Sequence, residues 1–287
     1  MNTNGIFDAV LKTAEAANSA ADDYIDPADG LKHCGRCRTP KETFFPPELQ
    51  LQGFRKHPCQ CRCARERQER EERAQAKRQA AMELVRLRME AFQDIPAAGW
   101  RFDAAVTMTA QLAKAKQYAA NWDRFRQDGI GLLLFGDVGT GKSYAAGCIA
   151  NALIERQVSV LMVGVSDAVN RMQGSFGADR DAYLKSLMRP ELLILDDLGA
   201  ERNTSFGKER VFDVINRRRL SGKPMLITTN IPLSAMKSAA ELDDRRIYDR
   251  ILEVCVPVRF DGESFRRGNA AENLQRAARY LNGGEGR

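Results

Sequence analysis

Gly136, Asp137, Val138, Gly139, Thr140, Gly141, Lys142 and Ser143 set glycines, a lysine and a hydroxyl at the spacing G-x-x-x-x-G-K-[ST]. The residue types suit a nucleoside triphosphate. Glycines let successive backbone N–H groups close on phosphate oxygens, the lysine reaches the β- and γ-phosphates, and the serine hydroxyl ligates magnesium. Downstream, the apolar run Leu192–Leu195 ends in Asp196 and Asp197. Asp196 is the candidate to hold the magnesium, and Asp197 to polarise an attacking water as general base. Thr228, Thr229 and Asn230 close another apolar run. Asn230 is a candidate to orient that water; an asparagine that merely starts a loop is the alternative. Arg245, Arg246 and Arg250 follow on one predicted helix, with Arg246 and Arg250 four apart on a shared face. Arg266 and Arg267 come after the last predicted strand. Such arginines stabilise the charge of phosphoryl transfer, sometimes from a neighbouring subunit. A solvated basic face is the competing reading.

A second constellation lies near the N-terminus. Cys34-x-x-Cys37 is one half of a tetrahedral zinc site. The other half must come from Cys59, Cys61 and Cys63, with His33 and His57 as further donors. Cys59 with Cys63, or Cys61 with Cys63 across a turn, are the favoured pairs. Clustered cysteines in a reducing compartment read as metal ligands rather than disulfides. A module this small has too little core to fold alone, so the metal would supply its stability. Cys148 and Cys255 stand apart in apolar surroundings and read as core residues.

Both constellations need a scaffold. Apolar runs at Leu132–Phe135, Val158–Val163, Leu192–Leu195, Met225–Thr229 and Leu252–Val258 predict five strands. Helices are predicted between them at Lys142–Arg156, Asp167–Met172, Asp181–Leu187, Lys208–Leu220 and Arg245–Ile251. Alternation of this kind predicts an α/β fold, a parallel five-stranded sheet with helices on both faces. Trp100–Arg126 reads as a helical lead-in, and a short helix is expected over Phe7–Ala20. Residues 64–92 contain no Gly or Pro and are dense in Arg, Glu, Gln and Ala, which favours an exposed charged helix. Its apolar residues Met82, Leu84, Val85, Leu87, Met89 and Phe92 predict docking at the C-terminal end.

The chain has 287 residues, enough for one α/β domain and a smaller module. No apolar stretch approaches the roughly 20 residues that span a bilayer, and a secretory leader pattern is not seen at the start. A cytoplasmic protein without a membrane partner is therefore expected. A net charge of +6 mildly favours a nucleic-acid or acidic partner.

Taken together, GDVGTGKS at 136–143, LLILDDLGAE at 192–201, ITTN at 227–230, RRIYDRI at 245–251 and DGESFRR at 261–267 resemble the AAA+ ATPases. Within them the chain is similar to the DnaC/DnaI branch of bacterial helicase loaders, and its cysteine module to DnaC-like ATP-binding proteins of phages and prophages. The resemblance implies a three-layer AAA+ P-loop sandwich over 96–268. Around it would lie a zinc module at 1–63, a charged linker helix at 64–95 and a C-terminal helix and tail at 269–287. It implies Walker A at 136–143, Walker B at Asp196 and Asp197, and sensor I at Asn230. Arg250, or Arg246, becomes an arginine finger for a neighbour's ATP, and Arg266 becomes sensor II. The second Walker B acid departs from the usual AAA+ glutamate, which points to slow, switch-like hydrolysis. ATP, Mg2+ and Zn2+ are the implied cofactors. The implied partners are a replicative helicase gripped by the N-terminal arm, single-stranded DNA, and further copies in an ATP-bridged oligomer. Residues 166–187 occupy the place of the extra initiator-type helices, where Arg171, Arg180, Lys185 and Phe176 are DNA-contact candidates. A transposition helper of IstB type, which shares the ATPase core, is the alternative.

Overall fold

The computed structural model describes residues 19–47, 55–92, 95–175, 177–200 and 204–281, with the side chains of 267–272 excepted. The expected helix at 7–20 therefore lies almost wholly outside the described residues. The chain divides into two compact units, Met1–Ala81 and Met82–Arg287.

The first unit holds two small antiparallel hairpins. Strand β1 (Tyr24–Ile25) pairs with β2 (Lys32–His33), and β3 (Glu42–Phe44) with β4 (Lys56–Pro58). Helix α1 (Arg62–Phe92) begins in this unit and ends in the second. Its sequence carries good helix formers throughout, and ion pairs such as Arg86 with Glu83 and Glu90, at 2.6 and 2.7 Å, line its surface. Only part of its apolar C-terminal end is covered. Leu87, Ala91 and Phe92 are buried, whereas Met82, Val85 and Met89 are 73%, 57% and 74% exposed. Leu84, Leu87 and Ala91 lie on one face and Met82, Val85 and Met89 on another, with Phe92 between them, so the expected six-residue docking stripe splits in two.

The second unit continues with α2 (Ala110–Ala120), α3 (Trp122–Gln127), β5 (Gly131–Gly136), α4 (Lys142–Ile154), β6 (Val160–Gly164), α5 (Val165–Gln173), α6 (Ala178–Met188), β7 (Leu192–Leu198), α7 (Ser205–Leu220), β8 (Met225–Thr229), α8 (Leu233–Lys237), α9 (Leu242–Val254), β9 (Cys255–Phe260) and α10 (Phe265–Leu281). The five long strands are all parallel, in the order β6-β7-β8-β5-β9. Each strand sends alternate residues to opposite faces. Leu132, Leu134, Leu192, Ile194, Leu226 and Val258 join one core with α2, α3 and α4. Leu133, Leu193, Leu195, Ile227 and Cys255 join a second core with α5, α6, α7 and α9. Three layers result. Because both faces are covered, the strands read as unbroken apolar runs.

Two sequence expectations need correction. Leu252–Val254 is the end of α9 rather than the start of a strand. Ile247 and Ile251 continue the helix's buried stripe, and the strand begins only at Cys255, whose N–H donates to the Ile251 carbonyl. Trp100–Arg126 is not one helix. The Thr109 hydroxyl accepts from the Leu112 N–H at 3.1 Å and starts α2 there, and Asn121 separates α2 from α3.

Candidate nucleotide site and metal centre

The strand order decides what meets at the sheet's C-terminal edge. β8 lies between β5 and β7, so the end of β8 separates the phosphate-loop strand from the strand bearing Asp196 and Asp197. The loop Gly136–Gly141 runs from β5 into α4, with Gly139 at φ 84° and Gly141 at φ 92°, backbone states that a side chain resists. The Thr140 hydroxyl donates to the Asp137 carbonyl at 2.8 Å and tightens the turn. Lys142 opens α4 and is buried, with Nζ donating to the carbonyls of Gly136 at 2.8 Å and Asp137 at 2.6 Å. Burial lowers the affinity of this ammonium for its proton; Asp197 and Asp137 oppose that, and Arg266 adds to it. A buried cation held by carbonyl oxygens, at a helix N-terminus, is a fitting seat for phosphate. The chain just before Arg266 is tied to the loop, since the Phe265 N–H donates to the Gly139 carbonyl at 3.0 Å.

The two carboxylates are held differently. The Thr228 hydroxyl donates to Asp196 Oδ1 at 2.6 Å and accepts the Asp197 N–H at 2.8 Å. Asp197 sits at φ 60°, and the β7–β8 register shifts between Leu195 and Leu198. That left-handed residue, which Asp tolerates better than most side chains, turns its carboxylate out of the strand. Asn230 Nδ2 then donates to Asp197 Oδ1 at 3.0 Å. The Thr229 hydroxyl donates to the Leu198 carbonyl at 2.7 Å and locks the irregular end of β7 to β8. Sequence reasoning picked out Asp196, Asp197 and Asn230 but assigned nothing to Thr228. Its signal was the polar run closing an apolar strand. Asp196 and Ser143 supply hard oxygen donors, the set magnesium takes.

Arg246 and Arg250 are turned to other contacts. The Arg246 guanidinium lies 5.5 Å from the Phe212 ring centre on α7, and Arg250 Nη1 is 3.3 Å from Glu253. Lys208 on α7 clasps the start of α9, bonding Glu241 and, at 3.0 Å, Asp244. Arg171 packs over the Tyr183 ring at 4.6 Å, while Lys185 is exposed and Arg180 partly so. Phe176 lies outside the described residues, and no side-chain position is described for Arg267.

In the first unit, the cysteine set resolves to Cys34, Cys37, Cys61 and Cys63, whose sulfurs all lie within 4.8 Å of one another. Two of the separations are 3.6 Å (Cys34–Cys63) and 3.4 Å (Cys61–Cys63). A tetrahedron with metal–sulfur bonds of about 2.3 Å has edges of about 3.8 Å, so the set fits zinc. Of the two favoured pairs the set holds Cys61 with Cys63, and Cys59 stands outside the group. Its N–H donates to the Lys41 carbonyl, which extends the hairpin, and its thiol points to the Pro40 carbonyl at 3.7 Å. Cys61 and Cys63 both reach the cluster because α1 starts between them, with the Arg65 N–H donating to the Cys61 carbonyl. Neither histidine joins it: His33 Nε2 meets Asp29 at 2.9 Å, and His57 Nδ1 lies 3.3 Å from the Pro58 carbonyl. Hydrogen bonds from the Thr39 hydroxyl and the Cys63 backbone bring the Cys37 thiol down to about 5. The surrounding thiols, Cys61 first, push Cys63 up to about 12. A bound divalent cation would hold all four as thiolates.

The three-layer sheet, the phosphate loop and the paired acids define an α/β P-loop nucleoside-triphosphate-binding protein. More narrowly, the chain belongs to the IstB-like ATP binding protein family, whose sequence profile matches residues 63–273. It is 31% identical over 160 residues to "Replicative helicase loader DnaC" of Escherichia coli strain K12, a stretch that covers 54% of this chain and 62% of that protein. It is 30% identical over 149 residues to "Replicative helicase loader DnaI" of Bacillus subtilis strain 168, covering 48% of each. The chain thus spans less than two thirds of the length of these curated relatives. A solved structure of DnaI shares the fold, with a TM-score of 0.52 and 23% identity over 62% of this chain and 98% of that one. Among the described residues no helix is long and apolar enough to cross a membrane.

Proposed function

We propose that the protein is an ATP-switched loader of a replicative helicase. The observation that carries the ATPase half is that Lys142 beyond the end of β5, the Asp196–Asp197 pair bridged by Thr228, and Asn230 bonded to Asp197 all lie at one edge of the sheet. Magnesium bound by Ser143 and Asp196 would neutralise charge on the phosphates. The chain's own groups do the rest. The phosphate-loop N–H groups and Lys142 bind and orient the triphosphate. Asp197, steered by Asn230, holds the water and takes its proton. Arg266 completes the site in cis. Arg250, with Arg246 as the alternative, acts on the ATP of a neighbouring copy in an oligomer, which fits their engagement away from this chain's own loop. Aspartate as the second acid holds water less closely than glutamate would, so turnover is slow and the nucleotide acts as a switch.

The loader role rests on the similarity to DnaC and DnaI. In this reading the zinc module and α1 grip the helicase, while the ATPase unit binds ATP and single-stranded DNA. Residues 166–187 contribute there through Arg180 and Lys185. The family description also admits a transposition helper, and the named curated relatives favour the loader. Co-purification of the full chain with a replicative helicase, with and without ATP, tests it. Retention by the full chain and loss in a chain lacking residues 1–95 is the expected result. Retention by residues 96–287 alone removes the arm assignment.

A further inference from the structure

We propose that the arginines around the cysteine cluster form a phosphate-binding surface for a single nucleic-acid strand, independent of the ATP site. Arg36 lies between Cys34 and Cys37, Arg38 follows Cys37, Arg62 lies between Cys61 and Cys63, and Arg65 is in the first turn of α1. Convergence of the four sulfurs draws these positions together from two distant segments. The Arg62 N–H donates to the Thr39 hydroxyl at 2.9 Å, beside Arg38, and the Arg65 N–H to the Cys61 carbonyl at 3.1 Å. All four side chains are exposed.

Three acids of this unit are paired away from the cluster, whereas the exposed Asp22 abuts Gly35. Asp23 meets Lys41 at 2.7 Å, Asp29 meets His33 at 2.9 Å, and Glu42 faces Lys56 at 3.9 Å. Among the described residues, Arg62 reaches Glu66 at 3.9 Å, and Arg36, Arg38 and Arg65 meet no carboxylate within ion-pair distance. Four thiolates around a divalent cation carry two net negative charges at buried or half-buried sulfurs, whereas the guanidiniums of Arg36, Arg38 and Arg65 face solvent. Guanidinium forks match phosphate oxygens in pairs. A stacking face lies alongside. The Tyr24 ring, 40% exposed, sits 5.8 Å from His33, whose Nδ1 is 3.1 Å from the Arg38 carbonyl. Cations next to an exposed aromatic ring suit a single strand better than an acidic protein face.

The test is fluorescence anisotropy of a labelled mixed-sequence single-stranded oligonucleotide titrated with the full chain, without nucleotide, across a salt series. The triple variant R36Q/R38Q/R65Q removes three phosphate contacts. The slope of log affinity against log salt is then expected to become shallower by about 2, so that the native chain loses about 20-fold more affinity than the variant between 50 and 200 mM salt. Lysines at the same three positions keep most of the slope, and equal zinc content and far-UV circular dichroism show that the variants fold. An unchanged slope in the glutamine variant overturns the proposal. So does intact oligonucleotide binding with lost binding to purified replicative helicase, which would assign the surface to a protein. Binding that appears only with ATP and vanishes in Lys142→Ala also overturns it, while leaving strand binding by the ATPase unit standing.

Discussion

Thr228 is the residue on which both carboxylates depend. Its hydroxyl gives its proton to Asp196 and receives the Asp197 N–H, and its side chain is buried. Valine at this position removes a bond to the half-buried Asp196 carboxylate and one from the Asp197 N–H, together about 2–4 kcal/mol at most. Thr228→Val is expected to lower magnesium-dependent ATP hydrolysis about 10- to 100-fold with a raised magnesium requirement, whereas Thr228→Ser keeps most of the rate. Steady-state hydrolysis across a magnesium titration checks it, and equal losses in the two variants would count against the bonding role. At the metal centre the contrast is between neighbours. Cys61→Ser is expected to lose the bound zinc and Cys59→Ser to retain one zinc per chain, measured by elemental analysis. Acid should release the metal. Protons compete with a metal for thiolate sulfur, so zinc release to a colorimetric chelator is expected to rise as pH falls, and at a higher pH in Cys61→Ser than in the native chain. Identical release profiles in the two chains would contradict the four-sulfur assignment.

Between elements, the contact that matters is the clasp of Lys208 with Glu241 and Asp244. It ties α7, which follows the acid-bearing strand, to the first turn of α9, which carries Arg246 and Arg250. Lys208 is only 12% exposed while Glu241 is 69% exposed, so screening leaves the pair a modest share of the stability. Its consequence is positional. Lys208→Ala is expected to leave ATP binding within about 2-fold and to lower hydrolysis at high protein concentration by about 10-fold, because in the proposed oligomer the α9 arginines act on a neighbour's ATP. Titration with a fluorescent ATP analogue alongside hydrolysis assays separates the two effects. Much of this level was legible in the sequence. Met225–Thr229 was found to the residue, because a central strand buried on both faces is an uninterrupted apolar run bounded by a turn. The end of α9 was not, because Leu252 and Val254 are as apolar as the strand that follows.

For the whole molecule, the open question is whether one chain makes a complete site. Arg246 packs on Phe212 and Arg250 on Glu253, whereas the residue before Arg266 is bonded to the phosphate loop at Gly139. Chains carrying Arg250→Ala and chains carrying Lys142→Ala are each expected to hydrolyse ATP at least about 100-fold more slowly than the native chain. A mixture should recover a sizeable fraction, since the second supplies the arginine the first lacks. A mixture as slow as its parts would place the arginine's action in cis or shift it to Arg246.

The sequence by itself marked out the loop 136–143, the acid pair, Asn230 and the cysteines as candidates. The loop and the acid pair are contiguous, and the cysteines fall in two close-spaced groups, so spacing carries that information. The tertiary structure alone decided that Thr228 bridges Asp196 and Asp197, that Cys61 rather than Cys59 completes the cluster, and that α1 buries one apolar face and exposes another. Those outcomes depend on which distant segments become neighbours: a strand inserted between two others, or a helix that starts between two cysteines. One-dimensional spacing does not encode them.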